Sequence, residues 1–327
     1  MEGGVEMIKT IGVVTPGGDA PGMNTAIRAV VRTAIFHDLR VMAVERGYAG
    51  LIGGDINPMD LKSVSGILNR GGTILHTVRC SDFKKKSFRK IAARNIKEHG
   101  IDALVVIGGN GSLRGAHELV KEFGVVSMIV PASIDNDIPF TDSTIGFDTA
   151  VNTALDAIDK IRDTAASHER IFIIEVMGRD NGFIALEVGL GAGAEIIMVP
   201  EVKCDFKRVC KRLKDGIDRG KLSSIIVVAE GVCKGMDLGE YVSKKLGVDV
   251  RVTVLGHLQR GGAPSAESRS LACKLGSAAV ELLLKGKKNK LVGSVNNKIV
   301  ATDFAKVLKT KKTIDRTVLG LAEKLSI

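Results

Sequence analysis

Asp135 and Asp137 stand two residues apart in Pro-Ala-Ser-Ile-Asp-Asn-Asp-Ile, residues 131–138, directly after an apolar run. On an extended backbone the two carboxylates point to the same side. One can then take a proton from a hydroxyl while the other helps to hold Mg²⁺. An Asx-rich turn capping the next segment explains the same residues equally well. Two glycine-rich stretches also follow apolar runs. Thr-Pro-Gly-Gly-Asp-Ala-Pro-Gly-Met-Asn (15–24) opens a helix expected to begin near Asn24 or Thr25. Gly17, Gly18 and Gly22 let the backbone approach a ligand closely. The helix N-terminus that follows suits phosphate, although the stretch is neither a GK[ST]-ended loop nor GxGxxG. Ile-Gly-Gly-Asn-Gly-Ser (107–112) is a second turn of the same kind, and the two together favour phosphate over plain tight turns.

Anion-binding side chains recur further along. Met-Gly-Arg-Asp (177–180) follows an apolar run, Glu230 ends another, and Leu-Gly-His-Leu-Gln-Arg-Gly-Gly (255–262) follows the last, with Arg251 just before it. Arg170 precedes the run at 171. The planar fork of arginine matches phosphate oxygens, and His257 can donate a hydrogen bond. Arginines at several strand ends point to an anionic sugar phosphate.

These residues need a scaffold, and the apolar pattern supplies one. Short β-branched runs at 10–15, 40–45, 102–108, 125–131, 171–176, 195–200, 223–230 and 249–256 alternate with helix-length stretches. Several runs are apolar on both faces, as in a parallel sheet covered by helices. In 147–163, Phe147, Val151, Ala154, Leu155, Ile158 and Ile161 recur near a 3.6-residue period. The expected fold is α/β, two Rossmann-like doubly wound domains with mainly parallel sheets. Ligands then sit beyond the carboxyl ends of the strands. A domain crossover is expected near 140–147.

With 327 residues, 45% hydrophobic and 26% charged, the chain is large enough for two such domains and too apolar to be disordered. No stretch reaches the length of a membrane span and no signal-peptide core opens the chain, so a cytoplasmic protein is expected. Met7 offers a second start, and the six residues before it read as a tail outside the fold. Five cysteines without CxxC spacing fit reduced thiols. The net charge of +10 invites nucleic acid, but ten Phe, two Tyr and no Trp leave little to stack on bases. Phosphorylated metabolites explain the charge better.

The motifs GGDAPGMN (17–24), LNRGGT (68–73), GGNGS (108–112), IDNDI (134–138), IRDTAASHER (161–170), EVMGR (175–179) and LGHLQRGG (255–262) occur in one chain in this order. From about Met7 to Ile327 the chain thereby resembles the bacterial 6-phosphofructokinase family. The resemblance implies transfer of the γ-phosphoryl of ATP, with Mg²⁺, to the 1-hydroxyl of fructose 6-phosphate. It implies Asp135 as base, with Arg179 and Arg79 steadying the transferred group. Gly18, Arg79, Cys80, Asn110, Gly111, Ser112 and Gly115 match nucleotide positions, and Asn110 and Asp137 match the metal site. Ser133, Ile134, Asp135, Met177, Gly178, Arg179, Glu230, His257 and Arg260 match the sugar-phosphate pocket. Arg170 and Arg251 match the pair reaching that pocket from a neighbouring subunit, which implies a homotetramer. The implied domains are 1–146 plus 259–309 for ATP and 147–258 plus 310–327 for fructose 6-phosphate. An effector site for ADP or phosphoenolpyruvate is implied at Arg28, Arg32, Arg162, Glu195, Arg219 and Lys221.

The chain departs from the family pattern in places. Asn110 stands where an Asp is usual, keeping a carbonyl oxygen and losing a charge, so weaker metal binding is expected. Gly111 is the ATP users' residue, whereas pyrophosphate users place an acid there and a Lys at 132. Ala132 replaces the usual Gly, and its methyl is expected to crowd the phosphate site. Ser133 replaces Thr and keeps the hydroxyl. Leu61 and Ser223 stand where Arg and His are usual in the effector site, so altered allostery is expected. A pyrophosphate-dependent enzyme, or an impaired relative that only binds, are the alternatives.

Overall fold

The computed structural model describes residues 8–325; the expected N-terminal tail lies outside them. In chain order the strands are β1 (Thr10–Val14), β2 (Arg40–Val44), β3 (Ile56–Met59), β4 (Ala103–Gly108), β5 (Val126–Pro131), β6 (Ile171–Val176), β7 (Ile196–Met198), β8 (Ser224–Ala229), β9 (Val250–Val254), β10 (Lys290–Val295) and β11 (Lys298–Asp303). The helices are α1 (Met23–Phe36), α2 (Tyr48–Gly53), α3 (Lys86–Glu98), α4 (Asn110–Phe123), α5 (Phe147–His168), α6 (Phe183–Gly191), α7 (Phe206–Asp218), α8 (Gly235–Leu246), α9 (Ala266–Leu284), α10 (Phe304–Lys309) and α11 (Arg316–Leu325).

The chain forms two compact units. The first comprises residues 8–133, Asp137–Asp148 and Gly261–Lys312. Its seven-stranded sheet has the order β11-β10-β5-β4-β1-β2-β3, parallel from β10 to β2 and antiparallel at both edges. β1 and β4 are buried along their whole length, which is why their sequences are apolar on both faces. The edge strands β3 and β11 were not evident from the apolar pattern. Pro58 suits β3 only because that strand lies at an edge. Inner strand β10 was also missed, because Gly293 and Ser294 interrupt its apolar run. Strand order reverses between β1 and β4, since β1 continues to β2 on one side while β4 continues to β5 on the other. That is the crevice where open α/β sheets bind ligands.

The second unit comprises Ile134–Asn136, Thr149–Arg260 and 313–325. Its sheet is parallel, in the order β7-β8-β6-β9. β8 is buried throughout, and α6 is apolar on every side and buried from Phe183 to Leu186, as a core helix should be. Asp205 caps α7 by accepting from the amides of Lys207 and Arg208. The helix expected over 147–163 runs on to His168 as α5. Residues 134–136 group with this second unit, whereas the sequence division had placed them with the first. All five cysteines are free, and burial pushes the Cys233 thiol up to about 12. No helix among the described residues is long and apolar enough to cross a membrane.

Candidate active site

In the first unit a cavity of about 780 Å³ opens at the carboxyl ends of β1 and β4. Arg79, Cys80, Gly111, Ser112 and Gly115 of the expected nucleotide set line it. Gly17 lines it rather than Gly18, which is exposed one residue further along. The first turn is tied to the second: Ser112 Oγ donates to the Pro16 carbonyl at 2.6 Å, and Thr77 Oγ1 donates to that of Gly17 at 2.7 Å. No described side chain caps α4, and a Cβ at Gly111 would meet nothing within 4 Å. The α4 N-terminus is thus an uncapped, open anion seat.

The cavity wall uses residues that no sequence motif announced. Tyr48 stacks on Phe83 with ring centroids 3.9 Å apart, and its hydroxyl donates to the Ser112 carbonyl. Burial pushes the Tyr48 hydroxyl well above the ordinary tyrosine range, so it stays a donor. A Cβ at Gly115 would lie 2.4 Å from the Tyr48 ring, so only glycine admits this ring against α4. Arg89 forks onto Glu122 with two bonds of 2.7 Å and donates to the Phe83 carbonyl at 2.8 Å. That clamp joins α3 to α4 behind the aromatic pair.

Asn110 opens α4, and its Nδ2 lies 3.4 Å from the Asp137 carbonyl. Asn110, which carries an amide oxygen, and the half-buried Asp137, which carries a carboxylate, thus neighbour one another in this unit, and both side chains offer hard oxygen donors. That donor set fits Mg²⁺, which takes one or two protein oxygens and completes its shell with water and phosphate. Lys312, not singled out from the sequence, lies near Asp137 and Asp142, and burial pushes its ammonium down to about 8. Ala132 is 1% exposed and bridges Ile145. Its methyl therefore lies in packing. Ser133 is half-buried with its carbonyl bonded to Thr144 Oγ1 at 2.5 Å.

The condition of an extended chain at 135–137 is not met. Residues 134 and 135 form a turn, and Asn136 has φ 50°, so the two carboxylates do not share a strand face. Asp135 is only 2% exposed, and Arg179 Nε lies 3.3 Å from its Oδ2. Ile134 is fully buried, which leaves its main chain as its means of contact.

The second unit gathers its candidates at the carboxyl ends of β6, β8 and β9. Met177, Gly178 and Arg179 follow β6, Glu230 follows β8, and His257 and Arg260 lie in the 3₁₀ turn Gly256–Arg260 after β9. Glu230 Oε1 accepts from the amides of Gly178 at 3.1 Å and Arg179 at 2.8 Å. Gln259, in the same turn as His257, accepts from the Met177 amide at 2.9 Å.

Arg170 and Arg251 are elsewhere. They sit at the amino ends of β6 and β9, and both pair with Asp249, at 2.6 and 3.1 Å. Six residues of strand separate that edge from Met177, about 20 Å. The expectation of one arginine cluster at strand ends is corrected: these two occupy the edge opposite Arg179. Of the effector candidates in this unit, Lys221 pairs with Glu195 at 2.8 Å and Arg162 donates to the Ala192 carbonyl. Arg219 Nε donates to the Asp215 carbonyl at 3.0 Å. Arg28 and Arg32 lie on α1 in the other unit.

Comparison with known proteins gives a consistent picture. The model of the family described as Phosphofructokinase matches residues 10–283. An ATP-dependent 6-phosphofructokinase of Bacillus mycoides (strain KBAB4) is 56% identical over 320 residues, covering 98% of this chain and 100% of its own. Its counterpart in Bacillus thuringiensis (strain Al Hakam) is 55% identical over the same span. Among solved structures, Pichia pastoris phosphofructokinase in the T-state superposes with a TM-score of 0.89 at 36% identity, over 98% of this chain and 37% of that longer one. A pyrophosphate-dependent phosphofructokinase from Marinobacter aquaeolei superposes at 0.84 over 95% of this chain and 86% of its own, and at 24% identity it shares the fold alone.

Proposed function

The chain belongs to the phosphofructokinase family, and from that membership we infer that it is an ATP-dependent 6-phosphofructokinase, passing the γ-phosphoryl of ATP to the 1-hydroxyl of fructose 6-phosphate. The observation that carries the reading is a buried carboxylate, Asp135, with the exposed guanidinium of Arg179 at 3.3 Å. In this reading the first unit's cavity takes the nucleotide and the second unit's strand-end loops take the sugar phosphate.

Each group has a defined task. Asp135 accepts the proton of the sugar hydroxyl as its oxygen attacks. Arg179, 3.3 Å from that carboxylate, offers its remaining N–H groups to the transferred oxygens. Arg79 adds positive charge at the nucleotide cavity. The α4 N-terminus, open at Gly111, and the turn at Gly17 and Gly18 hold phosphate through backbone N–H groups. Asn110 and Asp137 would hold Mg²⁺, which neutralises phosphate charge when bound. Positioning and charge neutralisation supply most of the acceleration in such transfers. Met177, Gly178, Glu230, His257, Arg260, Ser133 and Ile134 line the sugar side in this reading.

Arg170 and Arg251 lie on the edge away from their own chain's Arg179, which supports the reading that they serve a neighbouring copy. That supports a homotetramer with shared sites. Glu195, Lys221, Arg162, Arg219, Arg28 and Arg32 form the effector set for ADP or phosphoenolpyruvate. With Leu61 where an Arg and Ser223 where a His is usual, its response is weakened or altered; a full sigmoidal response relieved by micromolar ADP would contradict this. A cytoplasmic location accords with a glycolytic role. The test of function is fructose 6-phosphate phosphorylation with ATP and with pyrophosphate, side by side across Mg²⁺ concentrations. Turnover with ATP alone is expected. Turnover with pyrophosphate alone, or binding of both substrates without turnover, would overturn the reading.

A further inference from the structure

The loop after β6 is built against local preference. Gly178 has φ 143°, and Arg179, a non-glycine residue, has φ 52°. A Cβ at Gly231 would lie 2.0 Å from the Arg179 carbonyl, so the loop is also pressed onto the end of β8. Three successive amides in it, those of Met177, Gly178 and Arg179, are taken by side chains rather than by a strand or helix ladder. Glu230 takes two, and Gln259 Oε1 takes the first.

Gln259 is fully buried, and its Nε2 has no hydrogen-bond partner among the described residues. The orientation of the carboxamide is not arbitrary. The Met177 amide can only donate, so the oxygen must face it and the NH₂ must face away. An orphaned buried donor costs about 1–3 kcal/mol. A methionine or leucine would remove that cost in a similar volume, but it would leave the Met177 amide with no acceptor. A glutamate would supply the acceptor, but it would bury a carboxylate at a fully enclosed position. The neutral carboxamide is thus the side chain that holds this amide without adding charge.

We propose that Gln259 is a positioning residue of the transfer site. It fixes the backbone at Met177 so that, with Glu230, the chain turns at Gly178 and delivers Arg179 onto Asp135. The proposal rests on the kinase reading for its catalytic consequence, but the tether itself does not depend on it. Hydrogen exchange and kinetics on the full-length protein separate the two. In the wild type without substrates, the amides of 177–179 exchange at least about tenfold more slowly than those of the exposed turn at 296–297. In Q259M the Met177 amide loses that protection. The Q259M kcat falls about 10–100-fold, as for a misplaced catalytic group, while KM for ATP stays within about twofold. A merely structural glutamine would instead lower the rate only in step with the folded fraction, leaving kcat per folded molecule unchanged.

Unprotected wild-type amides, or a folded Q259M with kcat within about twofold of wild type, would overturn the role of Gln259. Should Q259M fail to fold, the wild-type exchange rates decide. A wild type that protects these amides but phosphorylates no fructose 6-phosphate would refute the kinase reading and leave the tether standing.

Discussion

Asp135 pairs a buried carboxylate with an accessible cation. It is 2% exposed, sits in a turn rather than a strand, and faces an arginine that is 57% exposed and so open to a ligand. Asp135→Asn keeps the shape and removes the basic oxygen. It should lower kcat about 10²–10⁴-fold with little change in fructose 6-phosphate binding, measured by steady-state kinetics beside a binding titration. A loss under about tenfold would assign the proton to another group. Asn110 is the residue to repair. Its Nδ2 approaches the Asp137 carbonyl, and an aspartate there restores the negative charge that a hard cation favours. Asn110→Asp should lower the Mg²⁺ concentration needed for half-maximal rate, and an unmoved Mg²⁺ titration would place residue 110 away from the metal.

The elements hold the nucleotide cavity by a chain of contacts running from α3 to α4. Arg89 and Glu122 are both largely buried, and their forked pair backs Phe83, which stacks on Tyr48, which bonds Ser112 at the start of α4. Glu122→Gln removes the negative charge and leaves one acceptor oxygen for the two Arg89 donors, and it should cost about 1.5–3 kcal/mol in urea-unfolding measurements. It should also raise KM for ATP, because the wall it supports lines the cavity; an unchanged ATP KM would detach the clamp from the site. Its pH dependence follows from the direction of the shift. The Arg89 guanidinium holds the Glu122 carboxyl below the ordinary glutamate range. Its contribution is therefore complete above about pH 5 and is lost as pH falls below about 4, through the lowered folded value. The wild type should lose stability faster than Glu122→Gln over that acid window.

At the scale of the whole molecule, the two faces of the second unit's sheet edge point to different duties. Arg179 and Glu230 lie at the carboxyl ends of their strands, whereas Arg170 and Arg251 share Asp249 at the amino ends. If the latter pair serves a neighbouring copy, Arg251→Ala should raise KM for fructose 6-phosphate about 10–100-fold, the worth of a hydrogen bond to a charged phosphate, with KM for ATP unmoved. Hybrids assembled from Arg251→Ala and Asp135→Asn chains should then regain activity, because some shared sites would receive one intact copy of each residue. No recovery in hybrids would confine the arginines to their own chain.

The apolar runs announced eight of the strands, their parallel arrangement and the strand-end location of the chemistry, because burial on both faces forces β-branched sequence that is visible without coordinates. The glycine turns at 17–18 and 108–111 were equally legible, since close backbone approach admits few other residues. Edge strands β3 and β11 were not, because half-exposed pairing carries no continuous apolar signal. Tyr48, Phe83, Arg89 and Gln259 were invisible as site residues, because each acts on a partner far along the chain and nothing local marks it. The turn at Asn136 and the sharing of Asp249 by Arg170 and Arg251 were decided by the tertiary structure alone. Spacing along a sequence fixes which residues are near in the chain, while backbone dihedrals and strand direction fix where their side chains end up.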